Sequence, residues 1–230
     1  MKNDNISKTG RFSSVPEKQI YTIGLVIILV TEFTLRDFLL PEKPSDIHIG
    51  MTIAGEWLIL LILLVFWIPK VERNNWGSIG FGNFKWRHLW MAILTYFSLL
   101  IAWIGVNFAL TAVGLEGLRS LQSMIKEHSF PILLSLFLTG TFLEEIFYRG
   151  YLIERLTSLT GKSWLAGIIS WIAFTFVHFR FIGLGPTLDM SVLSAALAIL
   201  YLKERNIWPC IMLHGINGAF SYLIAPLLVI

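Results

Sequence analysis

The chain is a succession of long apolar blocks separated by short polar breaks, with no strict alternation inside the blocks. An α-helix crossing a bilayer needs about 20 consecutive, mainly apolar residues. The pattern predicts helix one over Ile20–Leu40 and helix two over Met51–Ile68. The segment PKVERNNWGSIGFGNFKWRHLW is basic and aromatic with glycine breaks, and reads as an interfacial loop or short amphipathic element. Helix three is expected over Leu89–Val113. The stretch EGLRSLQSMIKEHSF is more polar, and Pro131 suits the first turn of helix four, which continues to Leu159. Helices five and six are expected over Ser163–Phe179 and Leu188–Leu202, and helix seven from after Asn206 nearly to Ile230. Backbone polar groups in lipid must be satisfied internally, so helices are the spanning element, and a β-barrel would need the alternation these blocks lack. The expected fold is therefore all-α, a polytopic transmembrane helical bundle of about seven spans. It divides into a polar tail (1–19), N-terminal membrane helices with the interfacial loop (20–130) and a candidate catalytic membrane core (131–230).

Composition agrees: 55% of the 230 residues are hydrophobic and 14% charged, too few charges to cover a soluble domain of this length. The net charge of +3 is modest, so the basic residues read as topology signals and no nucleic acid is expected as a partner. They sort by loop. Lys2, Lys8, Arg11, Lys18, Lys70, Arg73, Lys85, Arg87, Arg155, Lys162, Lys203 and Arg205 fall on one side, and Lys43, Arg119, Lys126 and Arg180 on the other. The positive-inside rule then puts the N-terminus in the cytoplasm and, with an odd number of spans, the C-terminus outside. The N-terminal tail does not read as a cleavable signal, since no short apolar stretch with a small-residue cleavage site follows it directly. The expected surroundings are membrane lipid. A single cysteine, Cys210, excludes an intrachain disulfide, and it lacks a basic neighbour that would activate it as a nucleophile.

Ionisable residues inside membrane helices are costly and suggest function. Three groups stand out: Glu144, Glu145 and Arg149 in TFLEEIFYRGYL; His178; and His214 with Asn217. Glu145 lies 16 residues before Gly161 and His178 lies 17 after it. At about 1.5 Å per residue both stand roughly 25 Å from that turn, at matched depth. His214, 9 residues beyond Arg205, reaches about 13 Å by the same rise. Glu145 and Arg149 are i,i+4 with the glutamate first, the favourable order for an ion pair. Glu144 is rotated about 100° away on the helix, without such a partner, and is free to exchange a proton with a nearby histidine. Phe174, one turn before His178, is placed to pack beneath the imidazole. Glu32, Arg36 and Asp37 read as a helix-end pair near the outer interface, and Glu56 lies deeper with no role assigned. Gly183 and Gly185, before Pro186, suggest a loop dipping toward the site.

Several readings of these groups compete. The acidic–basic cluster alone also fits a structural ion network, and His214 with Asn217 fits ordinary interhelical hydrogen bonding. Two histidines and one or two glutamates suffice for zinc. However, the glutamates lie outside any short His-x-x-x-His signature and asparagine is a poor zinc ligand, so no cofactor is expected and zinc is the disfavoured alternative. A transporter using the acidic pair as a proton relay is weakened by the lack of an internal repeat.

EEIFYR fits an EExxxR pattern, FTFVH fits FxxxH, and a helix with His and Asn follows. In these motifs, from about Pro131 to the C-terminus, the chain resembles the CPBP family of intramembrane proteases, which includes type II CAAX prenyl proteases and bacterial bacteriocin-processing and self-immunity relatives. The resemblance implies a glutamate-dependent endopeptidase in a bacterial plasma membrane, acting on a membrane-associated protein or peptide. By that similarity Glu144 and His178 activate a water, His214 and an asparagine one turn later stabilise the oxyanion, and Glu145, Arg149 and Phe174 support them. The family pattern is often HxxxN. Here position 218 is Gly218 and the asparagine is Asn217, still close to the His214 face. A non-catalytic binding or self-immunity protein of the same fold is the alternative.

Overall fold

The computed structural model describes residues 15–41, 43–115 and 127–224. Among these, all regular structure is helical. Seven helices follow one another: α1 (Val15–Leu39), α2 (Asp46–Val71), α3 (Trp86–Ala112), α4 (Phe130–Thr160), α5 (Ser163–Ile182), α6 (Leu184–Glu204) and α7 (Trp208–Gly218, continuing as Ala219–Ile224). Among the described residues, five segments are each long and apolar enough to cross a membrane: Pro16–Arg36 within α1, then α2, α3, α4 and α6. The chain is thus an all-α polytopic bundle. Residues 1–14 of the expected polar tail and most of EGLRSLQSMIKEHSF lie outside the described residues, as do the last six residues expected in helix seven and the side chain of Asp37, whereas Val15–Gln19, expected as tail, form the start of α1.

Lipid as solvent explains the exposure pattern. Along α3, Trp90, Leu94, Phe97, Ile101, Ile104 and Phe108 are exposed at three- and four-residue steps, forming one apolar stripe. Such a face is unfavourable in water and ordinary in lipid. The opposite side of α3 packs on α6 and α7, while α5 packs closely against both α4 and α6.

Helix ends follow local chemistry. Pro131 occupies the first turn of α4, where its missing N–H is not needed. Gly161 ends α4 in the left-handed region (φ 72°), and its N–H donates to the Thr157 carbonyl at 2.8 Å, closing a tight turn into α5. One expectation is corrected here. The sequence around FIGLGP suggested a loop, with helix six starting at Leu188. The break is Gly183 alone (φ 76°), and α6 begins at Leu184. Glycine supplies the required positive φ in a single residue, and Pro186 is tolerated in the first turn, so no loop dips toward the site.

The basic aromatic segment between α2 and α3 is packed structure rather than a free loop. A short 3₁₀ turn, Trp76–Ile79, leads to Gly80 (φ 84°), whose carbonyl accepts from the Ile207 N–H at 2.9 Å. The indole N–H of Trp208 donates to the Gly82 carbonyl at 2.9 Å. Beneath lies a buried clamp. The Glu72 carboxylate accepts from Tyr151 Oη (2.6 Å), Arg155 Nε (2.9 Å) and Arg155 Nη2 (2.6 Å). Arg155 also donates to the Ser78 carbonyl at 3.1 Å and hydroxyl at 2.9 Å. This ties the segment to the Gly161 end of α4 and fixes how that helix stands. Removing one partner of a buried ion pair typically costs about 3–5 kcal/mol, because the other charge is left unpaired. Arg155→Ala is expected to lower thermal stability in detergent by about that amount, read from its unfolding transition beside the wild type.

Candidate active site

The motif TGTFLEEIFYRGYL does not form a regular α-helix. Residues Thr139–Leu152 take the wider π-helical winding in the middle of α4, and all except Phe142 are buried. Such stretches are uncommon and concentrate at functional sites. Its neighbours help satisfy the altered backbone: the Ser170 hydroxyl of α5 donates to the Tyr148 carbonyl at 2.7 Å.

Glu145 and Arg149 pair as their spacing predicts, with Nη1 3.1 Å from Oε1 and both side chains fully buried. Arg149 Nη2 also donates to the hydroxyl (2.9 Å) and carbonyl (3.2 Å) of Ser194 on α6. The same Glu145 oxygen accepts from His214 Nδ1 at 2.8 Å. A carboxylate oxygen only accepts, so the Nδ1 proton lies toward Glu145 and Nε2 is left facing the other way. His178 is set likewise. Its Nδ1 lies 2.8 Å from the Phe174 carbonyl, which can only accept, so Nε2 is the free nitrogen.

Both Nε2 atoms point at Glu144. His178 Nε2 is 3.9 Å from Oε1 and His214 Nε2 is 4.0 Å from Oε2. These gaps exceed a direct hydrogen bond. They suit a small molecule held between carboxylate and imidazole. Phe174 organises the rings: it stacks on His178 (centroids 4.3 Å apart, 30° between planes), meets His214 edge-on at 6.4 Å, and lies 4.6 Å below the Arg149 guanidinium carbon. Residues from α4, α5 and α7, separate in sequence, thus converge in one layer. Asn217 sits half-buried on the turn after His214 and makes no hydrogen bond to the cluster among the described residues.

Sequence reasoning missed part of the site. Glu144 has no partner on its own helix, but Arg36 Nη2 of α1 lies 3.7 Å from its Oε1. Arg36 is also 2.8 Å from Glu56 on α2 and 3.0 Å from Glu32. The reading of Glu32 and Arg36 as a pair near the outer interface is therefore corrected, and Glu56 gains a partner. Their position near the end of an apolar block suggested headgroups, whereas the bundle folds them inward. Gly140, one turn before Glu144, is the other missed residue. A Cβ there would stand 3.2 Å from His214 Nε2 and 3.8 Å from Glu144 Oε2, so its bare backbone leaves room between the two.

Among the described residues no three His, Cys, Asp or Glu side chains are disposed to hold a metal ion. Glu145 Oε1 is already engaged by Arg149 and His214, and a guanidinium flanks Glu144 where a divalent cation would need negative charge. Cys210 is buried, its thiol near the Leu197 carbonyl, away from any nucleophilic role.

The family model described as type II CAAX prenyl endopeptidase, Rce1-like, matches residues 126–220, a span holding every one of the converging α4, α5 and α7 side chains. Searches of curated proteins and of solved structures returned no significant match. At family level the match supports a CAAX-type intramembrane protease.

Two outcomes follow from the geometry. Arg149→Ala leaves Glu145 buried without its guanidinium and is expected to lose about 3–5 kcal/mol of stability, visible as a lower yield of folded protein by size-exclusion chromatography in detergent. Gly140→Ala crowds only the His214 ring tip, so it is expected to fold with a near-normal melting temperature while perturbing the His214 resonances in an NMR spectrum of ring-labelled protein.

Proposed function

We propose that the protein is an intramembrane endopeptidase in which Glu144 and His178 activate a water to hydrolyse a peptide bond of a membrane-associated protein or peptide. The observation that carries this reading is the placement of one buried carboxylate between two imidazole Nε2 atoms at 3.9 and 4.0 Å. A water hydrogen-bonded to both Glu144 and His178 fits that gap. Glu144 takes a proton from the water as its oxygen attacks the scissile carbonyl, and the proton passes to the departing amine. His214, held through its Nδ1–H by Glu145, donates to the developing oxyanion through Nε2 in its imidazolium form, in which both ring nitrogens carry protons. Asn217 is a second donor once substrate is bound, and its free amide is consistent with that. Glu145, Arg149 and Phe174 hold the two imidazoles in register. The flanking guanidinium favours a reaction without metal.

Membrane lipid surrounds the bundle, and a nucleic acid has no part in the reaction. The sorting of basic residues favours a cytoplasmic N-terminus and an external C-terminus, and the family resemblance favours a bacterial plasma membrane. A cysteine introduced at Gly161 is then labelled from the cytoplasmic side only, and labelling from outside intact cells would overturn the orientation.

Glu144→Gln keeps the size of the side chain but removes its basicity. It is expected to abolish turnover without unfolding the bundle. His178→Ala is expected to do nearly the same, His214→Ala to leave little activity, and Asn217→Ala to be mildest. General acid–base groups usually contribute about 10²–10⁴-fold. Comparative membrane proteomics of wild-type and Glu144→Gln cells reads the result as uncut protein accumulating in the variant, and a chelator should not reproduce it. A folded Glu144→Gln protein that cleaves at the wild-type rate would leave a binding or self-immunity role instead.

A further inference from the structure

We infer that Arg36 is a positioning residue for Glu144, so that the reaction site is completed by the N-terminal helices. The inference rests on Glu144 being the water-activating carboxylate.

Arg36 is oriented from three helices. Its Nε donates to Glu56 Oε1 of α2 at 2.8 Å, its Nη2 lies 3.0 Å from Glu32 Oε1 one turn back on α1, and the same Nη2 lies 3.7 Å from Glu144 Oε1 of α4. Glu32, Glu56 and Glu144 are all buried. Two close carboxylates thus fix the guanidinium, and the third stands just beyond direct hydrogen-bond range. That third one, Glu144 Oε1, is the same oxygen that faces His178. A fixed positive charge at this distance biases where the carboxylate rests and which oxygen is offered to the water, without taking up the lone pairs that must accept the proton. A guanidinium bonded directly to Oε1 would compete with the water. The neighbouring indole of Trp57 donates to the Thr139 hydroxyl at 2.9 Å, locking α2 to the first residue of the π-helical stretch and holding Glu56 in place relative to Glu144.

A purely structural tie between α1 and α2 would need only Glu32, Arg36 and Glu56. What marks the additional role is that the guanidinium reaches Glu144, which already has two imidazoles. Four buried carboxylates (Glu32, Glu56, Glu144 and Glu145) share the layer with two guanidiniums (Arg36 and Arg149) and two imidazoles (His178 and His214). Of the guanidiniums, Arg149 is committed to Glu145 and Ser194, which leaves Arg36 to steer Glu144. Misplacing a reacting group by about 1 Å can cost about 10²-fold in rate.

The experiment uses the full-length protein in proteoliposomes and, as probe, the membrane protein that accumulates uncut in Glu144→Gln membranes. Arg36→Gln, Arg36→Lys and Glu56→Gln are compared with wild type for kcat, KM and melting temperature, with Glu144→Gln as control. Arg36→Gln is expected to lower kcat about 10²-fold with KM unchanged, Arg36→Lys to recover at least a tenth of the wild-type rate, and Glu56→Gln to lower kcat by about 10-fold. Should Arg36→Gln fail to fold, Arg36→Lys and Glu56→Gln decide by the same kcat-against-KM split. A folded Arg36→Gln with wild-type kcat, or one in which only KM changes, overturns the inference while leaving the role of Glu144 intact. An active Glu144→Gln overturns the reading of the site itself, and this inference with it.

Discussion

A charge taken into a low-dielectric layer has to meet its opposite there, and in this bundle that requirement converges on one atom. Glu145 Oε1 accepts from both Arg149 and His214. Through Arg149 it reaches Ser194 on α6, and through His214 it reaches α7. Phe174 then fills the space below, in contact with the guanidinium and both imidazoles. Lipid offers no hydrophobic driving force between helices, so packing and hydrogen bonds of this kind decide which faces meet. The orientation of Glu144 is a consequence: with its neighbour anchored, it is left toward the two free Nε2 atoms.

A second buried pair, Glu72 with Arg155, works at the Gly161 end of α4. The two clamps hold the same helix at separate levels, one against the interfacial segment and one against α6 and α7. Between them lies the π-helical stretch, whose winding would be costly in an isolated helix but is here enclosed on nearly every side.

The helical architecture was legible because blocks of apolar residues report spanning helices directly. Convergence of the glutamate pair with His178 was legible as the nearly equal residue counts of Glu145 and His178 on either side of Gly161, a short hairpin with a glycine turn. The Glu145–Arg149 pair was legible as i,i+4 spacing. What escaped was information that no local window carries. Arg36 looked like a residue at a helix end because its distance from Glu144 is decided by how α1 and α2 dock, and Gly140 looked like any helix glycine until His214 was seen against it. The expected FIGLGP loop failed for a different reason: one glycine with positive φ can do the work assigned to six residues.

The i,i+4 pairing also bears on how the chain enters the membrane. Each charged side chain at mid-bilayer adds about 2.5–3.5 kcal/mol to the insertion of an isolated helix. Glu145 and Arg149 neutralise each other within α4 itself, so that helix carries much of its compensation with it before any tertiary contact forms. Glu144 does not. Its counter-charge, Arg36, belongs to α1 and Glu56 to α2, both of which emerge before α4 during synthesis. Order of emergence thus matches order of need: the cation awaiting Glu144 is already in the bilayer when α4 arrives.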